Sequence, residues 1–149
     1  GNLTLAALLA LKDRGARLPD AAVALSPATD LTWRGESLTA RALLDPALNA
    51  TMMPLITNVY LQGREATDAP LVSPLFGDLR GLPPLLLQVG DAEILLSDAT
   101  RFADRARVAR VDVQLEVYPY MPHVFQGFAP FLPEAVGAIE RVGEFCRKH

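Results

Sequence analysis

The chain has 149 residues, of which 50% are hydrophobic and 21% are charged, and its formal net charge at pH 7 is −3. This composition is typical of a globular domain with a buried core, and it excludes a largely disordered chain. The single cysteine, Cys146, excludes an internal disulfide framework, and the scattered basic residues of a slightly acidic chain give no indication of a nucleic-acid partner.

Two long stretches, residues 46–63 and 118–133, contain no charged side chain. Both include prolines, and the first also includes asparagine and glutamine, so neither suits a helix that crosses a membrane. We therefore expect no membrane span. No targeting segment is visible either, which leaves the cytoplasm as the default expectation for localisation.

The first half of the chain predicts two helices and one strand. Residues 3–14 are good helix formers with apolar positions around most of the circumference, which predicts a largely buried helix that Gly15 terminates. Residues 21–25 form a short apolar run of strand length, and a second helix is predicted near residues 53–61. Residues 62–82 are polar and punctuated by proline and glycine, which indicates a surface connection.

The second half alternates strand and helix. Residues 84–89 (PLLLQV) predict a buried strand, and residues 113–118 (VQLEVY) predict a strand with one less buried face. Between them lies a helix for which Ser97 or Asp98 would cap the start, with an apolar face made of Leu95, Ala99, Phe102 and Ala106. A last helix is predicted over residues 133–148, with an inward face made of Val136, Ile139, Val142 (or Gly143) and Cys146.

Strands that are separated by helices predict an α/β fold with parallel strands and helices on both faces of the sheet. No internal repeat and no domain boundary is visible, so we expect one structural unit over residues 1–149. In such sheets ligands bind beyond the carboxyl ends of the strands, which directs attention to the loops that follow residues 89 and 118.

The loop after residue 89 offers carboxylates and the loop after residue 118 offers a histidine. Glu93, Asp91 and Asp98 are the candidates for the carboxylate, although Asp91 could serve the turn and Asp98 could cap the next helix. His123 is the candidate base. A carboxylate beside an imidazole is the acid and base part of a nucleophilic triad.

No nucleophile accompanies this pair in the sequence. None of the serines lies in a Gly-x-Ser-x-Gly elbow; Ser26 follows a predicted strand, but Pro27 comes directly after it. Cys146 is predicted to be a core residue rather than a nucleophile. No cluster has metal-ligand spacing and no glycine-rich phosphate loop is present, so we expect neither a metal nor a cofactor.

Several short motifs occur in a fixed order along the chain: Gly1-Asn2-Leu3, Leu25-Ser26-Pro27, Thr29-Asp30-Leu31, Ser73-Pro74-Leu75, Gly81-Leu82-Pro83-Pro84, Gln88-Val89-Gly90, Glu93-Ile94-Leu95 and Met121-Pro122-His123-Val124-Phe125. Together they resemble the hormone-sensitive-lipase-like branch of the α/β-hydrolase superfamily over essentially the whole chain. In that family a Gly-Asp-Ser-Ala-Gly motif with the catalytic serine directly precedes Gly-Asn-Leu. The resemblance implies that the chain is the C-terminal portion of such a protein, without the N-terminal cap, the oxyanion loop and the serine.

The resemblance also implies roles for particular residues. The family's acid, usually an aspartate in an Asp-x-Leu pattern, falls on Glu93, with Asp98 and Asp91 as the less favoured choices, and its base falls on His123. Residues 28–62 are expected to form an excursion beside the substrate pocket. Large apolar side chains that could line this pocket are Phe125, Met52, Met53 and Tyr60, with Trp33 and Phe128 as further choices.

The implied function is that of a serine carboxylesterase acting on short- to medium-chain acyl esters. The implied partners are a small-molecule ester, the N-terminal part of the same protein and, by analogy, a second copy paired through the strand over residues 113–118. This chain alone is then expected to be inactive. Two other interpretations remain open: a non-catalytic α/β module that binds a small ligand, or the same fold acting on lactones or amides.

Overall fold

A computed structural model describes all residues from 1 to 149. It contains three strands, five α-helices and three single turns of 3₁₀-helix at Ala50–Met52, Pro74–Phe76 and Phe125–Phe128. The strands and α-helices follow one another as α1 (Asn2–Asp13), β1 (Ala22–Leu25), α2 (Ser37–Ala40), α3 (Met53–Leu61), β2 (Leu85–Gly90), α4 (Leu96–Val108), β3 (Val113–Tyr118) and α5 (Pro133–Lys148).

The three strands form a parallel sheet in the order β1-β2-β3. In the centre of the sheet Leu87 lies opposite Ala24 of β1 and Leu115 of β3. Every residue of β2 is buried, which matches its uninterrupted apolar sequence, whereas β3 is mostly half-buried. The predicted α/β fold with a parallel sheet is confirmed.

Helices cover both faces of the sheet. On one face Leu85 and Leu87 of β2 join a core cluster to which α1 and α4 contribute, including Leu5 and Phe102. Because alternate residues of a strand point to opposite faces, Gln88 lies on the other face, where its amide donates to the carbonyl oxygen of Ala138 in α5. The sheet therefore separates α1 and α4 from α5.

Helix α4 buries the predicted face but begins differently from the prediction. Leu95, Ala99, Phe102 and Ala106 are at most 3% exposed, as expected. The residue before the first helical position is Leu95 and it provides no side-chain cap, so the prediction that Ser97 or Asp98 caps the helix is wrong. Both side chains lie inside the first turn instead. Asp98 accepts hydrogen bonds from Thr29 and Asp30 in the segment after β1, and the Ser97 hydroxyl forms a hydrogen bond with that of Ser37 in α2.

Helix α5 has the predicted bounds but turns a different face inward. Ala135, Ala138 and Phe145 are its buried residues, whereas Ile139 is 47% exposed and Cys146 is exposed. The predicted face is therefore wrong by one position along the helix. Small alanine side chains allow α5 to approach β2 closely, and this contact brings the carbonyl oxygen of Ala138 within 2.9 Å of the Gln88 amide nitrogen.

Helix α1 is less buried than its composition suggests. Its buried residues are Leu5, Ala6, Leu8 and Leu9, while Leu3 on the opposite side is 68% exposed. The prediction of a largely buried helix therefore holds for one face of α1 and not for its whole circumference. None of the helices combines the length and the apolar character that crossing a membrane requires.

Candidate active site

The two loops singled out in the sequence meet at the carboxyl edge of the sheet. β2 ends at Gly90, and the backbone of Met121, from the loop after β3, lies directly against its Cα. A side chain at position 90 would collide with the carbonyl group of Met121. Glycine at this position is therefore what allows the two loops to approach each other.

Glu93 and His123 form a direct contact in this region. The Oε2 atom of Glu93 lies 2.9 Å from Nδ1 of His123, although the two residues are 30 positions apart in the chain. The Glu93 side chain is fully buried and the His123 side chain is 25% exposed. A carboxylate that accepts from Nδ1–H leaves the lone pair of a neutral imidazole on Nε2, the nitrogen that can act as a base.

The second oxygen of Glu93 is held by two further donors. Its Oε1 accepts from the backbone N–H of Gly90 and from the hydroxyl of Ser26, each at 2.7 Å. A buried carboxylate loses its hydration on folding, and donors of this kind replace the lost water. With Oε1 fixed in this way, Oε2 is the oxygen that faces His123.

Ser26 lies directly after β1 and has a left-handed backbone conformation, with a φ of 42°. Its Oγ donates to Glu93 and accepts from the backbone N–H of Val124 at 3.1 Å. The side chain is 3% exposed, so its hydroxyl is occupied and shielded from solvent. These contacts do not suit a nucleophile that must attack an external substrate.

The other two candidate carboxylates have different contacts. Asp91 Oδ1 accepts from the backbone N–H of Tyr120 at 2.6 Å, which agrees with a role in the turn. Asp98 Oδ2 accepts from the backbone N–H groups of Thr29 and Asp30, at 2.7 and 2.9 Å. Burial raises the pKa of Asp98 to about 6. Among the three candidates, Glu93 is the one in contact with His123.

Two of the predicted pocket residues belong to the core. Phe125 is fully buried and its ring packs against that of Tyr118 with centroids 4.7 Å apart. Met53 is 4% exposed and clusters with Ile94 and Leu95. Apolar contacts from other segments enclose both side chains, and their part in lining a substrate pocket stays a prediction.

The other two pocket candidates are accessible. Met52 is 44% exposed and Tyr60 is 53% exposed. Tyr60 lines an apolar cleft of about 210 Å³ together with Trp33, Ile56 and residues of α1 and the segment after β1. Elsewhere in the structure no group of three or more His, Cys, Asp or Glu side chains is arranged to hold a metal ion.

Sequence reasoning missed the contacts of Ser26 and the close approach at Gly90. The position of Ser26 directly after a predicted strand could have indicated a functional role, because functional side chains gather at the carboxyl edge of a parallel sheet. The partner of its hydroxyl was not visible, since Glu93 lies 67 residues away and Val124 lies 98 residues away.

A model of the alpha/beta hydrolase fold matches residues 1–127 of the chain. The acetyl-hydrolase of Streptomyces hygroscopicus is 43% identical over 146 residues, which cover 98% of this chain and 48% of that protein. An esterase of Acinetobacter venetianus is 40% identical over 145 residues, covering 97% of this chain and 48% of the relative. The chain thus spans about half the length of the curated relatives that it matches.

Solved structures give the same result. A crystal structure of an esterase from the bacterial hormone-sensitive lipase (HSL) family is 52% identical, with a TM-score of 0.96. The match covers 99% of this chain and 49% of that one. Fold, sequence identity and family model agree, and the chain therefore belongs to the α/β-hydrolase family, in its hormone-sensitive-lipase-like branch.

Proposed function

We propose that the full-length protein is a serine carboxylesterase in which His123 is the base, Glu93 orients it, and the serine lies outside residues 1–149. The observation that carries this proposal is the 2.9 Å contact between Glu93 Oε2 and His123 Nδ1, with Glu93 fully buried. Two relatives are named as an acetyl-hydrolase and an esterase, which supports an ester as the bond that is cleaved.

The proposed reaction has two halves. In acylation His123 Nε2 takes the proton of the serine hydroxyl while the serine oxygen attacks the ester carbonyl, and the resulting imidazolium then protonates the departing alcohol. In deacylation the same nitrogen takes a proton from water as the water oxygen attacks the acyl carbonyl carbon. The imidazolium then returns this proton to the serine oxygen as the bond between the acyl group and serine breaks and the acid is released. Glu93 stabilises the imidazolium in both halves. The oxyanion donors would be backbone N–H groups outside this chain.

We further propose that the acyl chains are short to medium in length. The relative named as an acetyl-hydrolase supports a small acyl group.

A fluorophosphonate probe tests the proposed reaction in the full-length protein. We expect one covalent adduct by intact mass, no adduct in the His123→Ala variant under the same conditions, and faster turnover of acetyl and butyryl esters than of long-chain esters, a lactone or an anilide. Absence of both adduct and hydrolysis would instead support the non-catalytic binding module. Preferential turnover of the lactone or the anilide would assign a different bond to the same fold.

A further inference from the structure

We propose that Ser26 is a positioning residue that fixes the carboxylate of Glu93 relative to the loop that carries His123. This inference rests on the proposed function, because it assigns to Ser26 a part in the work of the acid and base pair. It differs from the nucleophile role that a serine at the end of a strand would suggest, since its hydroxyl is buried and already bonded on both sides.

The direction of the two hydrogen bonds of Ser26 is determined by their partners. The backbone N–H of Val124 can act solely as a donor, so at 3.1 Å it gives its proton to a lone pair of Oγ. The single hydroxyl proton of Ser26 then points to Glu93 Oε1, 2.7 Å away. One hydroxyl thus joins the carboxylate to the residue directly after His123.

This hydroxyl also connects the ends of all three strands. Ser26 follows β1, Glu93 lies in the loop after β2, and Val124 lies in the loop after β3. The mutual position of acid and base therefore depends on a contact from a strand that supplies neither of them. Because Gly90 N–H and Ser26 together hold Oε1, the other oxygen is directed to His123 Nδ1.

The backbone at both ends of the bond between Ser26 and Val124 is unusual. Ser26 has a φ of 42° and Val124 has a φ of 50°. Left-handed conformations are uncommon outside glycine and rarer still for a β-branched residue such as valine. Such conformations persist where surrounding contacts hold them, and they cluster at functional sites. The shared hydrogen bond is a contact of this kind.

A glutamate has one more side-chain torsion than an aspartate, so its carboxylate needs more restraint to keep one orientation. Removal of the Ser26 hydroxyl leaves Gly90 N–H as the remaining donor to Oε1 and frees the N–H of Val124. The carboxylate and the His123 loop can then move relative to each other. We expect this to slow proton transfer more than it weakens substrate binding.

Two variants of the full-length protein separate the hydroxyl from the backbone. Ser26→Gly removes the hydroxyl but suits the left-handed φ, whereas Ser26→Ala removes the hydroxyl and keeps the unfavourable conformation. We expect kcat for a short-chain ester to fall about 10- to 100-fold in both variants, in line with loss of a hydrogen bond to a charged group, with KM nearly unchanged. Ser26→Gly is expected to retain the thermal unfolding midpoint better than Ser26→Ala.

A double-mutant cycle distinguishes positioning from a general structural role. If Ser26 acts through Glu93, then Ser26→Gly has almost no further effect on kcat in a Glu93→Ala background. A proton NMR spectrum gives an independent readout, because the far-downfield resonance of His123 Nδ1–H is expected in the wild type, weakened or shifted in Ser26→Gly and absent in Glu93→Ala.

The outcomes separate this inference from the function on which it rests. Wild-type kcat and an unchanged downfield resonance in Ser26→Gly, together with an inactive Glu93→Ala variant, would overturn the role of Ser26 and leave the proposed triad intact. An equal loss of kcat from Ser26→Gly with and without Glu93 would also overturn it. Wild-type turnover in Glu93→Ala would instead overturn the proposed acid itself.

Discussion

The carboxylate of Glu93 has no contact with solvent, and three donors surround it: Gly90 N–H, the Ser26 hydroxyl and His123 Nδ1. Hydrogen bonds to a buried charged group are worth more than those between neutral groups, and loss of one partner leaves a desolvated acceptor. The carboxylate is therefore fixed from several sides, whereas His123 keeps one partly exposed edge. This asymmetry suits an acid that stays in place and a base that exchanges protons with substrate.

Truncation of either member of this pair is expected to abolish most of the activity. We predict that Glu93→Ala and His123→Ala each lower kcat/KM for ester hydrolysis by about 10³- to 10⁴-fold in the full-length protein. Asp91→Ala is the matched control, because Asp91 contacts the backbone of Tyr120 and not His123, and it should change kcat/KM by less than about tenfold. A large loss in the control with near wild-type turnover in Glu93→Ala would reverse the assignment of the acid.

The close approach of the two loops at Gly90 provides a second test. We predict that Gly90→Ala lowers activity strongly, because the added methyl group meets the backbone of Met121 and forces the acid loop away from the His123 loop. Gly127→Ala is the matched control, since nothing lies within 4 Å of a side chain added there. Ester hydrolysis and thermal unfolding should be measured for both; equal activities in the two variants would contradict the prediction.

At the scale of secondary structure, Asp98 joins helix α4 to the segment after β1. It is 2% exposed, accepts from two backbone N–H groups of that segment and lies near Asp30, which in turn pairs with Arg101 at 2.9 Å. Burial is the main reason that its pKa is raised from 3.8 to about 6. Asp98 is thus a structural carboxyl group, and its ionisation lowers the stability of the folded state.

This raised pKa predicts a specific dependence of stability on pH. The folded state binds the Asp98 proton more tightly than the unfolded state does. Protonation of Asp98 therefore adds to the free energy of unfolding; this contribution is fully present below about pH 4 and is lost as the pH rises through about 6. We expect the free energy of unfolding of the wild type to fall by about 1 to 3 kcal/mol across this window relative to Asp98→Asn.

Denaturant unfolding of the full-length protein between pH 4 and pH 7 measures this difference. Asp104→Asn is the control on the same helix, because the Asp104 side chain is 75% exposed and pairs with Arg107 at the surface. The free energy of unfolding of Asp104→Asn should change with pH in the same way as that of the wild type. Parallel curves for the wild type and Asp98→Asn would show that Asp98 does not carry the dependence.

Helix α5 shows how far a pattern of apolar residues predicts a buried face. Two rows of small and apolar residues run along this helix one position apart, and either could face the sheet by periodicity alone. The structure selects the row with Ala138 and Phe145 and leaves Ile139 and Cys146 exposed. Contacts of α5 with β2 and with the cluster around Phe125 determine which row faces the sheet. Those contacts involve residues outside α5, so the sequence of the helix alone does not predict them.

Across the 149 residues as a whole, the sheet has two unpaired edges and several large apolar side chains are exposed. β1 and β3 each pair with β2 on one side only. On the outside of α1 and α3, Leu3, Ile56, Val59 and Tyr60 are between 51% and 68% exposed. Unpaired edges and contiguous apolar side chains favour association with other chains. A homodimer through the edge of β3, where Val117 is 43% exposed, stays a prediction.

These features predict that the 149-residue polypeptide self-associates when it is produced by itself. Size-exclusion chromatography with light scattering should show species larger than 16.1 kDa, accompanied by binding of a hydrophobic dye. Ile56→Lys combined with Val59→Lys should shift the distribution towards the monomer and reduce dye binding. A monomeric wild-type polypeptide that binds no dye would contradict this prediction.

Local patterns in the sequence predict the three strands, the helices α1, α3, α4 and α5, the parallel α/β architecture and the two loops that hold the candidate acid and base, but not the short helix α2. These properties follow from local signals: the uninterrupted apolar run of β2, the 3.6-residue period of α4 and the turn residues that follow each strand. The predicted bounds of β3 and α5 agree with the structure to the residue. The motif order likewise identified the family.

Other features depend on how distant segments of the chain pack together. This packing places Glu93 rather than Asp91 or Asp98 against His123, gives the Ser26 hydroxyl its two partners, and encloses Phe125 and Met53 in the core. Each of these outcomes depends on the contact between segments that lie dozens of residues apart. Burial and hydrogen-bond partners are properties of those contacts, so they appear only when the strands have aligned and their loops meet at one edge of the sheet.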